Sequence, residues 1–463
     1  MNFLEILIIL FASINLLLAR FALIRLHQPT TVPLWLIKVF MSAISPILFL
    51  FGLSIVIVGL LNNSLPAIVI GSCSSLLYLL HIIKVTQAPD ALTGLEKISN
   101  VPGRNRIPAE KKAHFLPNRY VLRLPGSPDP IFEQNIPFYT IPDTNRHLLC
   151  DMWQPPKRIK KSGLVFIYLH GAAWAVLDKD YGTRTFFRHL AAQGHVIMDV
   201  AYRLFPETNF MGMVNDTKHA IAWIKANATR YKIDPAKIVI GGGSSGAHIA
   251  LLAAYTNSTK LFTPLDLKQT DLSVRGVVSL YGQSDLKATY YHTCQHIIAR
   301  SSLAQKEKNG PGGMPSWLQK SFSKNFHRLG FDKEVEPGML APMLGGSPAE
   351  KPEAYSLFSP IRYVDEDCPA TLIIHGKQDI LAPVNAICEL HSRLRQAGVP
   401  VAMHLLPQTD HAFDLIMPKI SPSAHNAIYD VERFLAMMAA NEPVTGTNRI
   451  SAIVSDESYE LRS

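Results

Sequence analysis

Ile238-Val239-Ile240-Gly241-Gly242-Gly243-Ser244-Ser245-Gly246-Ala247-His248, followed by the apolar run Ile249-Ala254, is the stretch on which the reading of this chain turns. A β-branched run, a cluster of small residues and a helix-like run in that order spell strand, tight turn, helix. Within the turn, Gly242-x-Ser244-x-Gly246 has the form of a nucleophile elbow. Such a turn is too tight for bulky side chains beside the serine, and it lifts the hydroxyl above a helix amino terminus. The same letters also fit Gly241-x-Gly243-x-x-Gly246, the dinucleotide-binding fingerprint, which likewise lies between a strand and a helix. The two readings demand different companions.

A dinucleotide site needs an acidic residue about 20 positions on, at the end of the next strand. Here Val277-Val278-Ser279-Leu280 ends in Tyr281-Gly282, and Asp285 comes too late. Nucleophilic catalysis needs oxyanion donors upstream, then an acid and a histidine downstream in the order Ser, Asp, His. Upstream, Phe166-Ile167-Tyr168-Leu169 runs into His170-Gly171-Ala172-Ala173-Trp174. Small residues there let backbone N–H groups point into a site, so Ala172, Ala173 and Ser245 are the expected oxyanion-hole donors. Downstream, Asp379 follows the strand-like Thr371-Ile374, and His411 follows Val401-Leu405. Asp379 would fix the tautomer of His411, and His411 would take the Ser244 proton. Asp410 cannot easily orient its own neighbour's ring, and Asp285 is a substitute only if the acid has moved.

Around these motifs short β-branched runs alternate with helical stretches: 164–169, helix 184–193, 196–200, helix 215–228, 238–240, 276–280, 371–374, helix 384–396, 401–405. That alternation predicts an α/β fold, a mostly parallel sheet with helices on both faces. A segment from 286 to 345, containing Gly310-Pro311-Gly312-Gly313, reads as a cap or lid insertion. Its His292, His296 and His327 lack metal-ligand spacing, and Tyr290, Tyr291 and Trp317 read as its core before they read as an acyl pocket.

The chain of 463 residues is 48% hydrophobic and 17% charged, against roughly 25% charged in ordinary soluble proteins. The excess is concentrated in front: no charged residue occurs across the 45 positions between Lys38 and Lys84. Three apolar stretches, 3–23, 39–61 and 65–83, are each about long enough to span a bilayer. The first starts with Glu5 and lacks a basic start, so it reads as a retained helix in preference to a signal peptide. Arg20, Arg25 and Lys38 follow the first stretch, and Lys84, Lys97, Arg104, Arg106, Lys111 and Lys112 follow the third, which predicts a cytoplasmic carboxyl-terminal region. Residues 1–125 carry 11 Lys and Arg against 4 Asp and Glu, so most of the net charge of +9 flanks apolar segments. It reads as topology signal, not as a nucleic-acid surface. Cys73, Cys150, Cys294, Cys368 and Cys388 form neither a disulfide framework nor a zinc site. No metal or cofactor is expected. The expected organisation is 1–87 as three transmembrane helices, 88–134 as a basic Pro/Gly-rich connector, 135–440 as the catalytic domain and 441–463 as a polar tail.

From about 135 to 440 the chain resembles the α/β-hydrolase carboxylesterases of the hormone-sensitive-lipase-like group and their feruloyl-esterase-like and prenylcysteine-methylesterase-like relatives. Besides the elbow, the resemblance rests on His170-Gly171-Ala172-Ala173-Trp174, Tyr202-Arg203-Leu204-Phe205-Pro206-Glu207, Met213-Val214-x-Asp216 before Trp223, and Ser359-Pro360 ahead of His375-Gly376 and Asp379. Gly246-Ala247-His248, Phe205-Pro206 and Met213-Val214 lean toward the methylesterase-like branch. There are departures. Alanines replace two oxyanion-loop glycines, which is tolerable only if neither needs a positive φ; Gly243 and Ala201 stand where the hormone-sensitive-lipase-like group commonly has Asp. The resemblance implies a serine esterase, and the apolar front implies a membrane-anchored one acting on an apolar or lipid-like ester. The competing expectations are a non-catalytic binding or scaffold protein of the same fold and, behind it, the dinucleotide enzyme.

Overall fold

The computed structural model describes residues 3–26, 32–87, 114–142, 144–293 and 340–440. Most of the expected cap with Cys294, His296, Trp317 and His327, the first part of the connector and the tail therefore lie outside the described residues.

Eight strands form one sheet: β1 (Ile131–Thr140), β2 (His147–Gln154), β3 (Val165–Leu169), β4 (Val196–Val200), β5 (Ile238–Gly243), β6 (Gly276–Leu280), β7 (Ala370–Gly376) and β8 (Val401–Leu406), in the spatial order β1-β2-β4-β3-β5-β6-β7-β8. β2 runs antiparallel to both its neighbours, and every pairing from β4 through β3 to β8 is parallel. β3 to β7 are buried along their whole length, which is why they read as unbroken apolar runs. Strand alternation divides the core. Val165, Ile167 and Leu169 face one layer with α6 (Phe210–Ala226), α7 (Ser245–Tyr255) and α8 (Val384–Gln396), while Phe166 and Tyr168 face the other with α5 (Arg184–Ala192) and α9 (Pro422–Ala439).

α6 begins five residues before the expected 215, because Asn209 accepts from Gly212 N at 3.1 Å and caps it there. Similarly, Ser421 accepts from Ala424 N and Pro422 opens α9. β1 starts within the stretch assigned to the connector. Upstream of it, Arg119 pairs with Asp430 and Leu116 N donates to Glu432, so residues 114–124 pack against α9.

Among the described residues, four helices occupy the amino-terminal region: α1 (Phe3–Leu23), α2 (Val32–Ala43), α3 (Ser45–Leu61) and α4 (Leu65–Thr86). α1 and α4 are each long and apolar enough to cross a membrane; α2 and α3 meet at a bend of 72°. The expected single stretch 39–61 is thus divided near Ile44, where Pro46 in the first turn of α3 cannot donate into a preceding helix. Inside the bundle Asn15 donates to Ser74 Oγ at 3.0 Å, and Gly52 and Gly71 allow α3 and α4 to approach closely. The bundle rests on the sheet domain through Leu26, Trp35 and Val39 against Ile380, with Leu36, Leu381, Ala412 and Ile416 around them. Lys38, expected as a loop charge, is instead buried within α2 and paired with Asp410 at 2.9 Å.

The β5–α7 turn tolerates no side chain at Gly246, where a Cβ would lie 2.1 Å from Leu169 O and 2.6 Å from His170 O. Gly246→Ala is expected to cost about 3 kcal/mol or more, because backbone atoms on both sides cannot yield. Gly126→Ala, which meets open space, should be neutral. Thermal unfolding of both variants in detergent checks the contrast.

Candidate active site

Ser244 lies between β5 and α7 as the helix N-cap residue, with a φ of +52°, and donates its N–H to Leu280 O. This strained elbow holds its hydroxyl at the carboxyl edge of the sheet, half-buried. Asp379 follows β7 and His411 follows β8, the two neighbours beyond β6, so their loops reach the same edge. His411 Nε2 lies 2.8 Å from Ser244 Oγ, and His411 Nδ1 lies 2.8 Å from Asp379 Oδ2. An ionised carboxylate only accepts, so Nδ1 carries the proton and Nε2 is free to accept from the Ser244 hydroxyl.

Asp379 and His411 are almost wholly buried. Burial pushes the Asp379 carboxyl up, but the His411 charge and hydrogen bond, His375 and the Ala382 N–H outweigh it and hold it below the usual carboxylate range. Its Oδ1 accepts from Leu381 N at 2.8 Å and Ala382 N at 2.7 Å. The edge of the Tyr281 ring packs 4.7 Å from the His411 ring, centroid to centroid, and Tyr281 donates to Asp414.

The 171–174 loop abuts the elbow: a Cβ on Gly171 would meet Gly243 O at 2.8 Å and Ser244 Cβ at 3.2 Å. The N–H groups of Ala172 and Ala173 donate to no other residue among those described. Ser245 opens α7, so its N–H has no intrahelical acceptor. All three backbone donors expected from the sequence are therefore without an acceptor among the described residues. The condition set on the alanines fails, however: Ala172 has φ +124° and Ala173 has φ +51°. Both carry strain that glycine would avoid.

Trp174, buried behind that loop, donates through Nε1 to His248 Nδ1 at 3.1 Å, and His248 Nε2 donates to Phe358 O at 2.8 Å. His248 thus ties the 171–174 loop to the helix after the elbow, and burial keeps it neutral, its pKa lowered to about 4.

Residues 150–394, more than half of the chain, match the BD-FAE family model. The chain belongs to the BD-FAE family. Its sheet is that of an α/β-hydrolase. Among curated proteins it is 28% identical over 299 residues to the probable carboxylic ester hydrolase LipM of Mycobacterium tuberculosis, covering 63% of this chain and 58% of LipM. It is 26% identical over 279 residues to Esterase LipC of the same organism, covering 60% of each. A probable isoprenylcysteine alpha-carbonyl methylesterase from Oryza sativa is 22% identical, over 60% of this chain and 58% of the relative. The chain spans about three fifths of the length of these relatives. Among solved structures, a truncated carbohydrate esterase from gut microbiota aligns at TM-score 0.49 and 22% identity, over 66% of this chain and 96% of that one.

In this BD-FAE member the elbow glycines are packed against the domain itself, Gly241 against Val278 O and Phe166 and Gly246 against Leu169 and His170. Asp285 caps the turn after it by accepting from Ala288 N. Tyr290 packs edge-on against Tyr291 and Tyr355, as a core residue would. His292, expected as a surface or lid residue, reaches Asp379 O at 3.3 Å. His375, which the sequence offers only as part of the His375-Gly376 motif, stands 3.4 Å from Asp379 Oδ2 while donating to Ala382 O. Its i,i+4 spacing to Asp379 across a strand end was the signal for this contact. The four described cysteines are free thiols.

Two consequences are measurable. Ala172→Gly should raise the thermal midpoint by a few degrees, since relieved strain of about 1–3 kcal/mol exceeds the entropy of an added glycine, about 0.4–1 kcal/mol; a fall would mean that the loop is unstrained. For His248 the folded value near 4 lies below the ordinary 6.5, so the unfolded chain binds the extra proton between them. Its contribution to stability is complete above pH 6.5, is lost as the pH falls toward 4, and has shrunk by about 2 kcal/mol at pH 5. Thermal midpoints at pH 5 and 7.5 should differ accordingly, and His248→Gln, whose amide can serve both partners, should flatten part of that slope.

Proposed function

We propose that this BD-FAE member is a membrane-anchored serine hydrolase that cleaves carboxylic esters through an acyl-enzyme, with apolar or lipid-like esters as its substrates. The reading is carried by one observation, the continuous chain Ser244 Oγ, His411, Asp379 with 2.8 Å at each link. Ser244 Oγ attacks the ester carbonyl carbon while its proton passes to His411 Nε2. The carbonyl oxygen becomes an oxyanion facing the N–H groups of Ala172, Ala173 and Ser245. The carbon–oxygen bond to the alcohol breaks, and the leaving oxygen takes the proton from His411. Water then loses a proton to His411, attacks the acyl carbon, and Ser244 leaves with that proton to give the acid. Asp379, fixed by two backbone N–H groups, stabilises the imidazolium that forms twice per turnover.

The membrane part rests on α1 and α4 and on the many large apolar side chains they and α3 expose, such as Leu17 at 67% and Leu61 at 78%. The last turns of α1 and α4 are joined to the hydrolase domain, Leu23 O to Gln378 and Val85 O to Asn426. The same ends carry Arg20, Arg25 and Lys84, so the positive-inside rule puts the hydrolase domain on the cytoplasmic side. Because α1 and α2 pack against Ile380, Leu381 and Ala412, the site faces the bundle, where an ester dissolved in the bilayer is concentrated.

Purified protein should hydrolyse a short soluble ester and react with a fluorophosphonate, and Ser244→Ala should lose both, with kcat down by about a millionfold or to background. Wild-type protein that takes no label would make it a binding or scaffold protein. In vesicles, long-chain esters should be turned over at higher kcat/KM than soluble ones; activity confined to soluble esters would remove the lipid assignment.

A further inference from the structure

The contact between the amino-terminal bundle and the hydrolase domain has, beside its apolar residues, a buried polar cluster. At its centre Lys38 Nζ lies 2.9 Å from Asp410 Oδ2 and 2.8 Å from Gln378 Oε1, and the Lys38 and Asp410 side chains are each 1% exposed. Asp410 uses its other oxygen on the domain: Oδ1 accepts from Ile380 N at 3.0 Å and from His411 N at 2.9 Å. One carboxylate therefore holds the residue after Asp379 and the backbone of His411 itself. On the other side of Asp379, Gln378 N donates to Thr409 O at 2.9 Å, and the Gln378 side chain is shared between Lys38 and Leu23 O. Beside the pair, His81 Nδ1 meets Gln408 Oε1 at 3.1 Å and the Trp35 ring stands 6.2 Å from that of His411.

We infer that Lys38 is a positioning residue for the reaction: through Asp410 and Gln378 it clamps the Asp379 and His411 loops together, which makes α2 a working part of the active site. The inference rests on the proposed roles of Ser244, His411 and Asp379 and deepens them.

A buried ion pair is a poor means of stabilising a protein, because desolvation of both charges consumes the Coulombic gain, and apolar replacements of the pair are often neutral or better. What such a pair supplies is geometry. The two loops come from adjacent strands, so nothing in the sheet sets their separation beyond the strand ends. Beyond the Gln378 N–Thr409 O bond it is Asp410 that joins the two loops at Ile380 and His411, and an unpaired carboxylate there would face the ionised Asp379 across them. Burial already pushes the Asp410 carboxyl above the ordinary range, with Lys38 opposing that and Asp379 adding to it. Without Lys38 the carboxylate must take up a proton or draw in water, and either shifts the N–H groups of Ile380 and His411. A displacement of about 1 Å at a catalytic group can cost about a hundredfold in rate.

The test is a cycle in the full-length protein, assayed in detergent with a short water-soluble ester so that entry from a membrane is not what is measured. Lys38→Met should lower kcat by about 10- to 100-fold, leave KM within about twofold, and slow fluorophosphonate reaction at Ser244 by the same factor as kcat. Asp410→Asn should also lower kcat. The double variant Lys38→Met/Asp410→Asn should recover to within about fivefold of wild type, because the Asn oxygen still accepts both N–H groups and no lone charge remains. A purely structural Lys38 would lower the thermal midpoint while kcat and the phosphonylation rate of the folded fraction stayed at wild-type values, and that result overturns the inference. If Lys38→Met does not fold, Asp410→Asn against the double variant decides: failure of the second substitution to restore kcat overturns it equally. Ser244→Ala is run alongside. Retained hydrolysis there would bring down the proposed nucleophile, whereas an inactive Ser244→Ala with a fully active Lys38→Met would remove Lys38 alone.

Discussion

An imidazole between an alcohol and a carboxylate works only while the carboxylate stays ionised, and here Asp379 is removed from water almost completely. A lone charge so placed would neutralise itself. The loop after β7 prevents this by turning two of its own N–H groups, of Leu381 and Ala382, onto Oδ1, leaving Oδ2 to His411 with His375 close by. The rest of the molecule can be understood as what this arrangement needs: strands that bring three loops to one edge, an elbow that raises Ser244, and a roof that keeps water out.

The roof is the unusual part. A hydrolase domain tethered by a flexible linker would present polar surface to its anchor. This domain instead presents Ile380, Leu381 and Ala412, the residues next to Asp379 and His411, to α1 and α2. Between them lie Lys38, His81, Gln378, Gln408 and Asp410, a set that is satisfied only in one relative placement of bundle and domain. Apolar contact alone would allow sliding; paired polar groups in a buried seam do not. The bend at Ile44, where Pro46 breaks the helix, leaves α2 against the domain while α3 turns away.

Much of this was legible beforehand because tight geometry leaves few residue choices. The elbow, the small residues after β3, and the positions of Asp379 and His411 beyond successive strands are local patterns, and the three side chains named from them are those the fold brings within hydrogen-bonding distance. What stayed hidden was non-local. β1 exposes much of its length and carries Asn135 at φ +57° within it, so it lacks the buried strand's apolar run. The break near Ile44 does not interrupt hydropathy, so 39–61 read as one stretch. Lys38 looked like a flanking charge because its partner lies 372 positions away, and composition near a residue says nothing about which distant loop it will meet. The contact of His375 with Asp379 was hidden for a similar reason, since it depends on how the turn after β7 closes.

The two alanines in the 171–174 loop show where sequence reasoning can be correct in its premise and still incomplete. Positive φ was the right objection to Ala172 and Ala173, yet both adopt it. Strain of that kind persists only where the surroundings over-determine the backbone. Gly171 wedged against Gly243 and Ser244 fixes one end of the loop, and Trp174, bonded to His248 and packed on Phe210, fixes the other. Between those anchors the chain has no room to relax, and the N–H groups of the strained residues are left without protein acceptors. A glycine there would reach the same conformation at lower energy but would also leave it more easily. Alanine narrows the alternatives open to that backbone, so the positive φ angles are held by the anchors on either side.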